Sequence, residues 1–369
     1  MKPTQTRYGI YLGDLDRSKT SSHGIVNFAT STVNAMAGLL EPTERLVVLA
    51  SESIRGELGS HPQMELHTFR KIQHGIQRIW RDQVDVLRKA RSRELDLLYF
   101  PKGFSPVFPS RIPIVATIHD DIALRYASGK YGLRAITPGI LYASACTIAT
   151  MRSAESVTTE SSFSARRLAK WRGKRDPLLV TANAVPDGPL LAGASKSGIC
   201  LFGSPLPHKR SSETLAWAVR FRDKRLPDEP VVVIGGPPIQ ATPGVTMVAG
   251  PISNEEVRRH VANARMVAAG SEYEGFGMPA LESWIWGTPT LHPDIEPYDE
   301  TLPGVPGAYV LGSYSSFSAA AENLLDLSND DLLRVRSEIK ARFPATRPAS
   351  ILLAEFRRLT TSYQIEVKR

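Results

Sequence analysis

Ser271-Glu-Tyr-Glu-Gly-Phe-Gly-Met-Pro-Ala-Leu-Glu-Ser-Trp-Ile-Trp-Gly-Thr-Pro-Thr290 is the stretch on which the reading of this chain turns. The apolar run Met266-Val-Ala-Ala269 before it predicts a short buried strand. Gly275 and Gly277 follow, where backbone approaches a ligand with no Cβ in the way. Pro279 suits a first helical residue, because its missing N–H costs nothing there. Ala280 to Trp286 has helical character, and Gly287 with Pro289 ends it. Strand, glycine turn and helix together make an anion site, with free amides and the positive helix end aimed at a phosphate. Glu274 on the turn and Glu282 on the helix suit one pocket, and a carboxylate accepts hydrogen bonds from vicinal hydroxyls. Phosphate beside sugar hydroxyls points to a nucleotide sugar. The bland reading is a tight turn flanked by two solvated acids.

The rest of the chain bounds what that turn can serve. At 369 residues there is length for two domains with full cores. Hydrophobic content of 42% with 22% charged residues is that of a globular protein. No apolar run reaches the length of a membrane span, and Met1-Lys-Pro-Thr-Gln5 lacks a secretory core, so the cytoplasm is the expected compartment. Cys146 and Cys200 are far apart in apolar segments and read as buried thiols. The net charge is +8, and residues 1–185 hold 26 of the 45 Lys/Arg but only 16 of the 37 Asp/Glu. A basic first half beside a near-neutral second half suggests an anionic partner for the first.

Strand patterns at Arg7–Leu12, Arg45–Ala50, Glu65–Phe69, Leu95–Phe100, Ile112–Ile118 and Leu178–Thr181 alternate with helical ones at Ile25–Leu40, Gln73–Ala90, Leu133–Arg152 and Phe163–Trp171. Pro186-Asp-Gly-Pro-Leu-Leu-Ala-Gly-Ala-Ser195 reads as a linker. Strands then recur at Gly198–Phe202, Pro230–Ile234, Val245–Val248 and Ala308–Leu311. Helices are expected near Glu213–Phe221 and over Asn254–Ala264, Ser316–Leu327, Asp330–Phe343 and Arg347–Tyr363. Alternation of this kind predicts an α/β chain of two doubly wound parallel sheets. Such sheets bind ligands beyond the carboxyl ends of their strands, which places a ligand in the cleft between the two. The expected domains are residues 1–185, a linker at 186–197, residues 198–345 and a final helix at 346–369.

Glu274-Gly-Phe-Gly-Met-Pro-Ala-Leu-Glu282 resembles the E-x7-E signature of family 4 retaining glycosyltransferases, which have the GT-B fold: two Rossmann-like domains facing each other across a cleft. The resemblance implies that Glu282 holds the ribose of the donor, Glu274 the sugar hydroxyls, and Gly275, Phe276, Gly277 and Met278 the phosphate side. It also implies that the last helix crosses back to the first, acceptor-side domain. Leu201-Phe-Gly-Ser-Pro-Leu-Pro-His-Lys-Arg210 resembles the family's basic phosphate-binding segment, so Lys209 is implied to stabilise the leaving phosphate. Relatives carry a second cation where this chain has Ser204 or His208, which leaves Arg210 to substitute or the charge missing. Thr117-Ile-His-Asp-Asp121 resembles the family's T-x-H-D, implying that His119 positions the donor sugar, with Asp120 orienting it or lining the acceptor side. Gly24 in Ser21-Ser-His-Gly24 matches a loop near the donor phosphates, with one glycine where relatives have two. Ser161-Ser-Phe-Ser164 and Asn183-Ala-Val185 resemble two further landmarks, readable also as a helix cap at Ser162 and a domain-end turn.

Asp14-Leu-Asp16 is a D-x-D, a metal-binding triplet in a different glycosyltransferase fold and a common chance pattern. No dinucleotide or Walker phosphate motif occurs. Arg70, Lys71, Arg78, Arg81, Arg88, Lys89, Arg91 and Arg93 surround a helix carrying Ile76, Ile79, Trp80, Val84 and Leu87. That helix either lies on anionic lipid or packs its apolar stripe on the sheet with its charges in water. Nucleic acid is disfavoured, since no aromatic stacking platform accompanies the charge. The reading is a cytoplasmic transferase, with a peripheral place on the inner face of the membrane open to it. It moves a hexose of mannose or rhamnose type from a nucleotide-diphosphate sugar to a glycan or lipid-linked acceptor, with no metal or other cofactor. The alternatives are an inverting transferase or nucleotide-sugar epimerase of the same fold, or a non-catalytic binding scaffold.

Overall fold

The computed structural model describes residues 5–16, 23–70, 75–186, 188, 190, 196–238, 240–250 and 252–367. In the first half these form β1 (Thr6–Leu12), α1 (His23–Ala37), β2 (Glu44–Ser51), β3 (Met64–Phe69), α2 (Gly75–Trp80), α3 (Val86–Ser92), β4 (Leu97–Phe100), β5 (Ile114–Thr117), α4 (Ile122–Ala127), α5 (Pro138–Ser153), β6 (Ser156–Thr159), α6 (Ser162–Arg172) and β7 (Leu179–Val180). The second half contains β8 (Ile199–Phe202), α7 (Ser211–Arg225), β9 (Val231–Ile234), β10 (Val245–Val248), α8 (Asn254–Asn263), β11 (Met266–Ala268), α9 (Met278–Ile285), β12 (Thr290–Pro293), α10 (Glu296–Thr301), β13 (Ala308–Tyr309), α11 (Tyr314–Leu325) and α12 (Asn329–Arg342), and α13 (Arg347–Val367) ends the chain. Residues 1–184 and 345–369 make one compact unit, and residues 185–344 make the other.

Among the described residues the first unit is a parallel sheet ordered β3-β2-β1-β4-β5-β6-β7, and the second a parallel sheet ordered β10-β9-β8-β11-β12-β13. Both faces of the first sheet are covered, as a parallel sheet requires. Tyr8, Ile10, Leu12, Leu46 and Val48 pack toward α1 and α13. Their neighbours Tyr11, Val47 and Leu49 point the other way, toward α3. In α13, Ala349, Leu352, Leu353 and Phe356 line up at helical spacing and are all buried in the first unit's core. Phe356 lies between Tyr8 and Tyr99, 5.5 and 5.4 Å from their ring centres. The next residue, Arg357, makes a two-pronged contact with the buried Glu44, both bonds 2.8 Å.

Several expectations need correction. The helix expected from Leu133 starts at Pro138, because Thr137, extended before a proline, caps it by accepting from the Ile140 N–H. Leu133–Ala135 forms only a 3-10 turn. The helix expected over Gln73–Ala90 is interrupted by a π turn at Arg81–Asp85, and residues 71–74 lie outside the described residues. Two strands escaped the pattern. In β6 the sequence Ser-Val-Thr-Thr looks too polar for a buried strand, yet the Tyr99, Thr117 and Thr158 hydroxyls satisfy one another across β4, β5 and β6 at 2.6 and 2.7 Å. In β12 a buried histidine and a terminal proline disguise the apolar run. The short helices α4 and α10 were also not anticipated. Cys146 and Cys200 are buried free thiols, as expected.

Phe356→Ala is expected to cost the first unit about 3–5 kcal/mol, the usual result of deleting a buried aromatic ring. Arg357→Met is expected to cost about 1.5–3 kcal/mol, leaving the Glu44 carboxylate without its cation. Denaturant unfolding measures both, and a loss below 1 kcal/mol for Phe356→Ala would contradict the docking of α13.

Candidate functional site

In the second unit the strand order reverses between β8 and β11. Beyond the carboxyl ends of the strands at such a reversal is where doubly wound sheets bind their ligands. Lys209 lies on the loop after β8, and Glu274 on the loop after β11. Lys209 Nζ donates to Glu274 Oε1 at 2.6 Å, joining the two loops across the reversal. The loops are also tied through the backbone, by the Glu272 N–H donating to the His208 carbonyl at 2.8 Å.

Glu274 is buried, with a side chain 11% exposed against 27% for Lys209. Burial alone would raise its carboxyl. The Lys209 ammonium, its hydrogen bond and one from Ser271 outweigh burial and hold it below the usual carboxylate range. A charged carboxylate is thus kept at the strand ends, with a lysine that is still partly open to solvent.

The glycines around this pair answer to packing. Gly277, the N-cap of α9, has a φ of +88°, and a Cβ there would sit 2.3 Å from Tyr298 Cε1. Gly270 lets α7 approach, since a Cβ would lie 1.7 Å from Thr214 Oγ1. Phe276 packs on Phe343, ring centres 5.2 Å apart. Pro279 is the second residue of α9, not the first, because Met278 is already helical. Gly275 is buried, Met278 half-buried, and Glu282 half-buried one turn into α9.

Other residues singled out in this unit have local duties. The Ser204 hydroxyl accepts from the Leu206 N–H at 3.2 Å and shapes the turn. His208 is buried beneath the turn. Arg210 stands in the left-handed region at φ 46° before α7. Its guanidinium pairs with Glu213 at 2.5 Å and approaches Glu272 at 3.7 Å, so the second cation of this loop is held by carboxylates of its own unit.

In the first unit the order reverses between β1 and β4. Asp14, after β1, meets the buried Lys102, after β4, at 3.0 Å and Arg78 at 3.2 Å. Asp82, on the π turn, also meets Lys102 at 3.1 Å and accepts from the Tyr11 hydroxyl at 2.5 Å. Asp14 of the D-x-D is thus bound to cations of the chain itself. Among the described residues no group of three His, Cys, Asp or Glu is placed to hold a metal.

His119, beyond β5, has both ring nitrogens engaged. Nδ1 lies 2.5 Å from Glu160 Oε1, and Nε2 lies 2.8 Å from the Pro101 carbonyl. The Asn183 amide donates to the same Glu160 oxygen at 3.1 Å. The segments Thr117–Asp121, Ser161–Ser164 and Asn183–Val185 therefore meet at the carboxyl ends of β5, β6 and β7. Their hub, Glu160, was missed in the sequence, although it directly precedes Ser161. Ser161 itself caps α6, accepting from the Ser164 N–H at 3.0 Å, one residue before the expected cap at Ser162. Asp120 Oδ1 accepts from the Ile122 N–H at 2.8 Å and so starts α4. Gly24 is exposed in the first turn of α1, which His23 opens, and Ser21 and Ser22 of its expected loop lie outside the described residues.

No protein-family model matches the sequence, and no match is found among curated proteins. Solved structures do match its fold. HepE from Anabaena, solved with UDP and glucose, is 13% identical with a TM-score of 0.65, covering 96% of this chain and 100% of that one. Sucrose-phosphate synthase from Thermosynechococcus elongatus is 14% identical with a TM-score of 0.67, covering 97% and 100%. TarM from S. aureus, solved with fondaparinux, alpha-GlcNAc-glycerol and UDP, is 9% identical with a TM-score of 0.67, covering 95% and 99%. The likeness spans both units of this chain, whose fold is the two-domain α/β fold GT-B.

Proposed function

We propose that the chain is a retaining glycosyltransferase that takes a hexose from a nucleotide-diphosphate sugar. The observation that carries this reading is the Lys209–Glu274 pair at the strand-order reversal of the second unit, where a doubly wound sheet binds its ligand. Lys209 supplies positive charge to the donor diphosphate, and Glu274 accepts hydrogen bonds from sugar hydroxyls. Glu282 serves the ribose. Amides near Phe276 and Gly277 add to the leaving-group side, so the countercharge comes from the chain and not from a metal. UDP is the first nucleotide to test, since HepE and TarM were solved with it.

The route is the one that the family resemblance implies. The bond between the sugar's anomeric carbon and the diphosphate oxygen breaks, and the acceptor oxygen bonds to that carbon on the same face. The acceptor's proton passes to the departing phosphate, so no residue need act as nucleophile. Lys209 stabilises the charge that develops on the phosphate, an interaction stronger in the transition state than before it. The sugar's being of mannose or rhamnose type rests on the sequence resemblance.

For the acceptor, the reading takes a glycan or lipid-linked substrate at an anionic membrane. Val86, Leu87 and Ala90 of α3 are buried in the core, but Ile76 and Trp80 of α2 are 84% and 48% exposed. Arg70, Arg88 and Arg91 are exposed on the same segment, with Arg88 5.3 Å from the Trp80 ring centre. Aromatic and aliphatic groups beside arginines suit the interface of an anionic bilayer. Among the described residues no helix is long and apolar enough to cross a membrane.

Glu274→Ala and Lys209→Ala are expected to lower kcat/KM by about 10–100-fold, the size of a charge-assisted hydrogen bond worth about 1.5–3 kcal/mol. Near-normal transfer by folded Glu274→Ala protein would sink the assignment, and inversion of the anomeric centre would replace it with an inverting transferase. Saturating UDP at a hundred times its Kd is expected to add about 2.7 kcal/mol to stability. Thermal unfolding with UDP, GDP, ADP and dTDP identifies the base, and no shift with any of them contradicts a nucleotide site. Because the folded Glu274 carboxyl titrates below its unfolded value, its stabilisation is complete above the usual carboxylate range and fades as pH falls through the folded value. Activity is accordingly expected to show no Glu274 limb between about pH 5 and 7. Trp80→Ala with Ile76→Ser is expected to weaken co-sedimentation with phosphatidylglycerol vesicles; equal binding to phosphatidylcholine would refute an anionic partner.

A further inference from the structure

Among the described residues, the His119 ring nitrogens face two oxygens. A backbone carbonyl accepts only, so Nε2 facing Pro101 carries a proton. Nδ1 faces Glu160, whose same oxygen also receives the Asn183 amide. Asn183 is itself oriented, because its Oδ1 accepts from the Ala184 N–H at 2.8 Å. Phe28 of α1 packs against the ring, edge-on to the imidazole with centres 5.1 Å apart. Among the described residues, the charged groups facing the ring are Glu160, at the end of β6, and Asp120, the next residue after His119, both negative.

We infer that Glu160, steadied by Asn183, is a positioning residue that keeps His119 doubly protonated, so that a fixed imidazolium stands at the carboxyl end of β5. Burial alone would favour the neutral ring, but Glu160, the Pro101 carbonyl and Asp120 outweigh it and raise the pKa. A histidine held this way offers constant positive charge and cannot shuttle protons near neutral pH. Its consequence for catalysis rests on the transferase reading above; its charge state does not.

The test uses the full chain with ring-nitrogen NMR. At neutral pH both His119 nitrogens are expected to report as protonated, assigned by their loss in His119→Gln. In Glu160→Gln, where the oxygen remains but the charge is gone, the titration is expected to move to lower pH and a neutral ring to appear. Glu160→Asp is expected to restore part of the charged state. An unprotonated ring nitrogen in the unaltered protein at neutral pH overturns the inference, as does a titration unmoved in Glu160→Gln. If Glu160→Gln fails to fold, the unaltered protein's spectrum decides alone. For transfer, Glu160→Gln is expected to lose turnover progressively as pH rises through its lowered titration, with KM for the donor less affected than kcat. A uniform loss at every pH, with no change of profile, overturns the catalytic consequence. Loss of transfer in every variant and in the unaltered protein, with the NMR result intact, removes the transferase reading and leaves the imidazolium standing.

Discussion

Burying both faces of a parallel sheet is the constraint from which the rest of this structure follows. Tyr8, Ile10 and Leu12 face one way and Tyr11 the other, and all are covered. With the central strands covered on both faces, the charged side chains of the candidate sites stand beyond the ends of the strands. Lys209, Glu274, His119, Glu160, Asp14 and Lys102 all stand just beyond strand ends. The reversals of strand order then decide which of these ends have room for a ligand.

The two units use that rule differently. In the second, a lysine and a carboxylate hold each other across the reversal, and the lysine keeps partial access to solvent. In the first, the reversal is closed by a buried network in which Lys102 joins Asp14 and Asp82 while Arg78 reaches Asp14. Burial raises the Asp14 carboxyl, but Lys102 and Arg78 prevail and hold it low. Leaving any one of these ions alone would be costly, which makes the set a rigid base more than a loose surface. The π turn at Arg81–Asp85 brings Asp82 to that network, and such turns recur where a helix must re-aim a side chain.

Much of the fold was legible because its signals are local. Apolar runs bounded by Gly and Pro located most strands, and helical spacing in Arg347–Tyr363 located α13. The misses have physical causes. β6 is made of hydroxyl residues whose partners lie on other strands, so no local pattern marks it as buried. Thr137 ends the apolar stretch before α5 by capping, a signal present in the Thr-Pro pair but overridden by the periodicity around it. Glu160 looked like one more surface acid beside a helix cap until the sheet brought His119 and Asn183 to it.

The amino-acid sequence alone determined the α/β alternation, the strand–turn–helix around Glu274 and Glu282, and the basic segment around Lys209, because each depends on residues close in the chain. Tertiary structure decided which charges meet. Lys209 finds Glu274 across 65 positions, and His119 finds Glu160 across 41. Arg210 is taken by Glu213 and Glu272, and Gly277 answers to Tyr298. Charge pairing and close approach depend on distance through space, and only the stacking of parallel strands sets those distances.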